Sequence, residues 1–312
     1  MNELLNPSIT IFGFQIYYYA IVIVVGLVLA TCLSALMMKR RNMSPDFVFT
    51  LFIFCIPSAL ICARLYYCVT DGMHVSDWFR WESIRSGGLS ILGGVLGGVL
   101  AGLIVCLVKR ANFFRAADCV VPTILIAQAI GRWGNYFNQE VYGSLITDPA
   151  WQWFPWAVEI GGNYYHALFF YESVINTIGF LLIYGAAWNF TKKPNGLFAF
   201  LYFAWYGSVR ALMEPLRNSQ YILGDGIMWS QVTSIIMAAA ALVAIAILLA
   251  VNYKKEGSLI GSRKGDPCAI TEFAKSYKDE VPYFSKINLL GANYPPKPAK
   301  TPKAKGKDKE KK

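Results

Sequence analysis

The chain has 312 residues, 55% of them hydrophobic and only 15% charged, which excludes an ordinary soluble domain and points to a polytopic membrane protein. The net charge of +10 is unevenly placed: from Lys254 onward 15 Lys/Arg stand against 7 Asp/Glu, so most of the basic excess belongs to a tail. A Lys-rich segment directly after a membrane span fits orientation and attraction to anionic lipid, and no nucleic-acid partner is read from it.

Seven spans are predicted in chain order. Ile16 to Met38 is uncharged and runs into Lys39-Arg40-Arg41. No small-residue cleavage site follows it, so it reads as a retained helix and not a signal peptide. Phe47 to Val69 is broken only by Pro57 and Arg64, Gly87 to Val108 is the third run, and Ala116 to about Phe137 the fourth. His166 to Phe190, Gly196 to about Pro215, and Ile227 to Val251 complete the set. The expected fold is an all-α polytopic membrane protein of about seven transmembrane helices. It divides into a transmembrane domain, residues 1–253, and a Lys/Pro-rich cytoplasmic tail, residues 254–312, too polar and proline-rich to pack and therefore disordered.

Flanking charge sets the orientation. Lys39, Arg40, Arg41, Lys109, Arg110, Arg115, Lys192 and Lys193 follow the odd-numbered spans, whereas Asp71, Asp77, Glu82, Glu140, Asp148, Glu159 and Asp225 fall on the other side. The N-terminus is expected outside and the tail in the cytoplasm. The longest external piece, about residues 136–165, carries Trp151, Trp153, Trp156, Tyr164 and Tyr165, suiting a small aromatic-rich cap at the lipid headgroups.

Within this frame the charges are informative. Arg132 lies 14 residues after Asp118 and Arg210 lies 14 after Gly196, each roughly 21 Å into a hydrocarbon core about 30 Å thick. Glu172 and Arg64 fall at similar height on two other spans. An ionisable residue inside a membrane is a functional-site hypothesis by default, and four at one level are read as a polar cavity open to the outer leaflet in preference to separate ion pairs. On the sixth span Tyr206, Arg210, Glu214 and Arg217 form one helical stripe, although Arg210 and Glu214 at i, i+4 are also able to satisfy each other. On the fourth, Gln128, Arg132 and Asn135 share a face. Small residues at 93/97/101 and 94/98/102 on the third span signal close helix packing and say nothing of catalysis.

The seven cysteines form no C-x-x-C pair and no cluster with His at metal-ligand spacing, so no metal or cofactor is assigned. They read as small buried hydrophobes, with a Cys62–Cys68 pairing left open.

Taken together, Gly131-Arg132-x-Gly134-Asn135-x-x-Asn138-x-Glu140-x-x-Gly143, His166-x-x-x-x-Tyr171-Glu172-Ser173 and Tyr206-Gly207-x-x-Arg210-x-x-x-Glu214-x-x-Arg217 resemble the prolipoprotein diacylglyceryl transferase family of bacterial inner membranes. Tyr19, Ala63-Arg64-Leu65 and Gly87-Gly88-Leu89-Ser90 add to the likeness, which covers about residues 12–253. The resemblance implies transfer of a diacylglyceryl group from phosphatidylglycerol to the lipobox cysteine of preprolipoproteins in the bacterial plasma membrane. It implies Arg132, Arg210, Tyr206 and His166 as catalytic candidates. Tyr19, Arg64, Asn135, Asn138, Glu140, Glu172, Glu214 and Arg217, with the two arginines, are candidates for substrate binding. Arginine suits the role because its permanently charged fork matches phosphate oxygens and also lowers a nearby thiol pKa.

One departure matters. A histidine common in the family just before the second Gly-Gly of the third span is Leu92 here, and another near the start of the first span is Tyr17. A base at the former site cannot operate in this chain, which leaves His74 and His166, the latter read as orienting a neighbour in preference to acting as base. Glu140 is read as structural, because a carboxylate beside arginines is a weak base. A lipid or solute transporter and an inactive family member are the alternatives.

Overall fold

The computed structural model describes residues 8–11, 14–73, 78, 80, 88–190, 194–217 and 228–256. His74, Asp77, Glu82, Gly87, Lys192, Lys193, Asp225, Cys268 and the tail beyond residue 256 lie outside the described residues.

The chain is mostly helical. In order come α1 (Tyr18–Arg40), α2 (Phe47–Thr70), α3 (Ile91–Val108), α4 (Phe113–Val120), α5 (Ile124–Asn138), α6 (Leu168–Asn189), α7 (Leu197–Met213) and α8 (Trp229–Glu256). Five stretches have the length and apolarity to cross a membrane: Tyr18–Arg40, Phe47–Thr70, Phe113–Asn138, Leu168–Asn189 and Ser230–Lys254. The third of these joins α4 to α5 through a single 3₁₀ turn, Val121–Thr123, where Pro122 occupies a first-turn position that needs no N–H donor. The Asn112 side chain opens α4 by accepting from Arg115 N at 3.0 Å, which starts the rod a few residues earlier than its hydropathy suggested.

Pairs of helices meet where one is stripped to backbone. A Cβ placed on Gly97 would fall 2.5 Å from Cys62 Cβ, and one on Gly93 would overlap the backbone of Cys62, so the 93/97 stripe is the face that α3 lays against α2. The 94/98/102 stripe makes only ordinary contacts. Gly207 does the same for α7 against Ser234 and Ala238 of α8. Cys62 and Cys68 are both free thiols on α2, which closes the pairing left open by their spacing.

The all-helical expectation needs correction at two points. Ser8–Ile11 (β1) pairs antiparallel with Phe14–Tyr17 (β2), so Ile16 and Tyr17 end a hairpin and do not begin the first helix. Ala157–Ile160 (β3) pairs with Asn163–His166 (β4) around Gly161-Gly162, whose φ values of +60° and +81° suit the primed turn that a two-residue hairpin loop demands. The second hairpin lies in the piece expected as a cap. It gains a third edge, since Ile146 N donates to Tyr164 O at 2.8 Å and His166 N to Ser144 O at 3.1 Å. Ser144 N in turn donates to Leu216 O at 3.1 Å, tying this unit to the end of α7. Trp151, Trp153, Phe154 and Trp156 stand exposed on it.

At the opposite end a buried carboxylate sets where α7 begins. Asp118 of α4 accepts from the backbone N–H groups of Gly196, Phe198 and Ala199 at 2.8, 2.9 and 3.0 Å, capping from another helix the donors that α7 leaves unsatisfied. Arg41 Nη1 stands 3.7 Å from the same carboxylate while its Nη2 donates to Ala187 O at the end of α6. The ends of α1, α4, α6 and α7 are thereby held in one place, and Arg210 is set at a fixed height four turns above.

Candidate active site

A chain of alternating charges crosses three helices. Arg132 of α5 is ion-paired with Glu172 of α6. The other oxygen of Glu172 stands 3.6 Å from Arg210 Nη1 on α7, Arg210 Nη2 is 3.1 Å from Glu214, and Glu214 is 3.5 Å from Arg217. The two carboxylates are each 3% exposed, whereas the arginines retain more access. Burying two carboxylates is tolerable only with this many cations about them. Three arginines against two glutamates leave one positive charge in excess. Arg210 Nη1 is buried beside Glu172 and makes no hydrogen bond, so part of its guanidinium fork keeps donor capacity unspent.

The helices account for this placement. Glu214 and Arg217 follow Arg210 at i+4 and i+7; because α7 passes into a 3₁₀ turn at Glu214–Leu216, Arg217 comes back within reach of Glu214. Trp133 Nε1 donates to Ser173 Oγ at 3.1 Å beside the Arg132–Glu172 pair and fixes the α5–α6 register.

Other candidates take supporting places. Tyr206 lies one turn before Arg210, its ring stacked parallel on Tyr202 with 5.9 Å between centroids. The Tyr202 hydroxyl accepts from Gln128 Nε2 at 3.1 Å, and Gln128 is one turn before Arg132. Tyr19 covers α5: a side chain at Gly134 would overlap its ring, which is why that glycine sits between Arg132 and Asn135. Asn135 lines a cavity of about 160 Å³ with Gln139, Tyr142 and Glu159 at the foot of the β3–β4 unit. Asn138 Nδ2 donates to Glu140 Oε1 at 3.1 Å, so these two exposed side chains hold each other and Glu140 stays off Arg132.

His166 Nδ1 is 3.3 Å from the Tyr171 hydroxyl, which donates to Trp156 O at 2.6 Å. Its ring thus braces the hairpin unit. Arg64 is 5% exposed on α2 and donates to the carbonyls of Trp78 and Gly88 at 3.0 Å each, with its guanidinium over Tyr67. Leu92 presents an exposed apolar side chain in the first turn of α3. Among the described residues no three His, Cys, Asp or Glu are grouped to hold a metal.

A cation excess at the end of three packed helices suits an anionic group such as a phosphodiester. A family profile described as prolipoprotein diacylglyceryl transferase matches residues 7–247. The chain belongs to the prolipoprotein diacylglyceryl transferase family. Similar proteins include phosphatidylglycerol–prolipoprotein diacylglyceryl transferase 1 of Clostridium perfringens, 34% identical over 80% of this chain and 97% of its own. The enzymes of that name from Finegoldia magna and Streptococcus uberis are 32% and 35% identical, covering 80% and 76% of this chain and 96% and 92% of theirs. With Leu92 exposed at the start of α3, the charged grouping that the described residues present is the ion chain of Arg132, Glu172, Arg210, Glu214 and Arg217.

Sequence reading did not single out Gln128 as a bonded partner of Tyr202, nor Asn176. The latter is 1% exposed one turn after Glu172, and its one sequence signal is an uncharged asparagine inside the apolar stretch of α6.

Proposed function

We propose that this chain transfers the sn-1,2-diacylglyceryl group of phosphatidylglycerol to the lipobox cysteine of a preprolipoprotein, in the plasma membrane of a bacterium. The observation that supports it most is the sharing of Glu172 by Arg132 and Arg210, which brings two guanidinium groups from separate helices to one point. The cysteine sulfur attacks the sn-3 carbon of the lipid, the C–S bond forms as the C–O bond to phosphate breaks, and glycerol phosphate leaves. Arg132 and Arg210 hold the phosphodiester and stabilise the charge that gathers on its departing oxygen. Tyr206 and Asn135 serve as hydrogen-bond partners of the same headgroup, and Arg217 and Glu214 hold Arg210 in position.

The thiol proton balances the reaction. Guanidinium groups beside the sulfur favour its ionised form, and the released phosphate monoester, whose second pKa is about 6, takes up a proton as it departs. No third-span histidine is required on this route, and His166 acts as a brace through Tyr171.

Seven spans, with α3 and α7 as the two shorter crossings, fit this chemistry, as do an external N-terminus, the β3–β4 unit at the headgroups and a cytoplasmic tail. The outer placement of the arginines would then meet lipid and peptide on the side where a secreted substrate emerges. The deciding experiment incubates the purified full chain with phosphatidylglycerol and a lipobox peptide and follows the peptide by mass spectrometry. A thioether-linked diacylglyceryl adduct is expected; an unmodified peptide, with protein shown to be folded, overturns the reading.

A further inference from the structure

One turn beneath the ion chain lies a second, uncharged polar layer. Gln128 precedes Arg132 by four residues on α5, Asn176 follows Glu172 by four on α6, and Tyr206 and Tyr202 precede Arg210 by four and eight on α7. Alternate helices run in opposite directions, and the Arg132–Glu172 and Arg210–Glu172 contacts fix their registers. Gln128, Asn176 and Tyr206 therefore occupy one level about 5 Å closer to the bilayer centre, with Tyr202 a further turn below.

This layer is only partly satisfied. Asn176 is 1% exposed on the inward stripe of α6 that also holds Glu172 and Ile183, and its amide oxygen Oδ1 has no hydrogen-bond partner. Gln128 reaches Tyr202 with one amide atom, and its other, Oε1, is buried and unpartnered. Exchanging O and N of that amide preserves the 3.1 Å contact, with the Tyr202 hydroxyl donating, and turns the NH₂ to the open side. Either way the level presents unspent N–H or O–H donors within a helical bundle, where leaving them unused is costly. Below it the surroundings turn apolar: Tyr202 also borders a groove of about 440 Å³ lined by residues such as Leu51, Ile56, Val99 and Ala127.

We infer that Asn176 and Gln128, with Tyr202, form a subsite for the ester carbonyls of the lipid whose phosphate is held by the arginines. The order from outside inward is cation, neutral donor, hydrocarbon, which is the order of phosphate, ester carbonyls and acyl chains along a diacyl glycerophospholipid. The carbonyls are pure acceptors, matching the Tyr202 O–H as placed, or the Gln128 and Asn176 NH₂ groups once O and N of those amides are exchanged. The inference rests on the proposed transfer reaction and makes Asn176 and Gln128 specificity-determining residues within it.

The test compares two phosphatidylglycerols of equal chain length, one with two ester-linked chains and one with two ether-linked chains, as donors to a lipobox peptide in mixed micelles with the full chain. Headgroup, scissile bond and chain volume are the same, and only the carbonyls differ. The unmodified protein should favour the diester lipid roughly tenfold in kcat/KM, about what one or two neutral hydrogen bonds supply. Asn176→Leu and Gln128→Met should each lower turnover of the diester lipid while leaving that of the diether lipid within about twofold, so that the ratio shrinks. Because it is a ratio within one preparation, loss of folded protein does not move it, and any intrinsic difference in reactivity between the lipids cancels between variants. If Asn176→Leu does not insert, Gln128→Met and the unmodified chain decide. Equal use of both lipids by the unmodified chain, or a preference surviving unchanged in every variant that folds, overturns the subsite and leaves these amides as sites of packing or buried water. Absence of transfer from either lipid would instead overturn the proposed function itself.

Discussion

Glu172 offers one carboxylate oxygen to Arg132 and holds the other 3.6 Å from Arg210, so two arginines on different helices are joined through a side chain that is itself buried. Replacing it with glutamine keeps the volume and removes the negative charge that lets two guanidinium groups lie close together. Glu172→Gln is expected to lower kcat by at least tenfold. Glu172→Leu should in addition cost about 3 kcal/mol of stability, as for breaking a buried ion pair at one end. Thermal unfolding in detergent beside the transfer assay separates the two effects.

His166 and Tyr171 act together in bracing the hairpin unit, through the 3.3 Å contact between them and the bond from Tyr171 to Trp156 O. His166→Gln and Tyr171→Phe should each retain a measurable fraction of transfer, and the double variant should be little worse than either alone. Complete loss in His166→Gln alone, in protein that is folded and inserted, would assign the proton transfer to this histidine.

Asp118 works at the far end of the bundle. With the N-terminus of α7 and Arg41 both dependent on it, Asp118→Ala leaves a buried cation and three backbone donors without their acceptor and should cost about 3–5 kcal/mol. Asp118→Asn can still accept from the α7 donors and should recover part of that. The KM for lipid, measured on the folded fraction, should stay within about twofold, because Asp118 lies at the opposite end of the bundle from Arg132 and Arg210.

Removing residues after Lys255 should leave transfer per folded protein intact, since the ion chain and the hairpin unit lie wholly before that point. A fall in kcat on truncation would give the Lys-rich segment a part in the reaction.

Much of this arrangement was legible in the chain itself, for a physical reason. An arginine placed 14 residues into an apolar helix has few acceptable surroundings, so Arg132 and Arg210 announced a shared polar site, and the 93/97 glycines announced the helix pair they join. The spacing of Arg210, Glu214 and Arg217 likewise described their contacts. What hydropathy did not convey was direction within a level. Arg64 has the right height, yet it turns to the carbonyls of Trp78 and Gly88, a choice made by side-chain orientation. The two hairpins were missed because apolar, aromatic strand residues such as Ile16, Tyr17 and His166 abut helices and extend their hydropathy without a break, even though Gly161-Gly162 marked one turn. Asn176 went unnoticed because a lone amide carries no charge to stand out.

The claim at the centre is that Arg132 and Arg210 grip a single phosphate. A double-mutant cycle measures it: kcat/KM for thioether formation, read by mass spectrometry, for Arg132→Lys, Arg210→Lys and the pair. Lysine keeps the charge and loses the fork, so each single change should cost about 10- to 100-fold. If both hold one phosphate, the double variant should fall short of the product of the single losses by at least about fivefold. Losses that simply multiply would mean that the two guanidinium groups act on separate partners, contrary to this account.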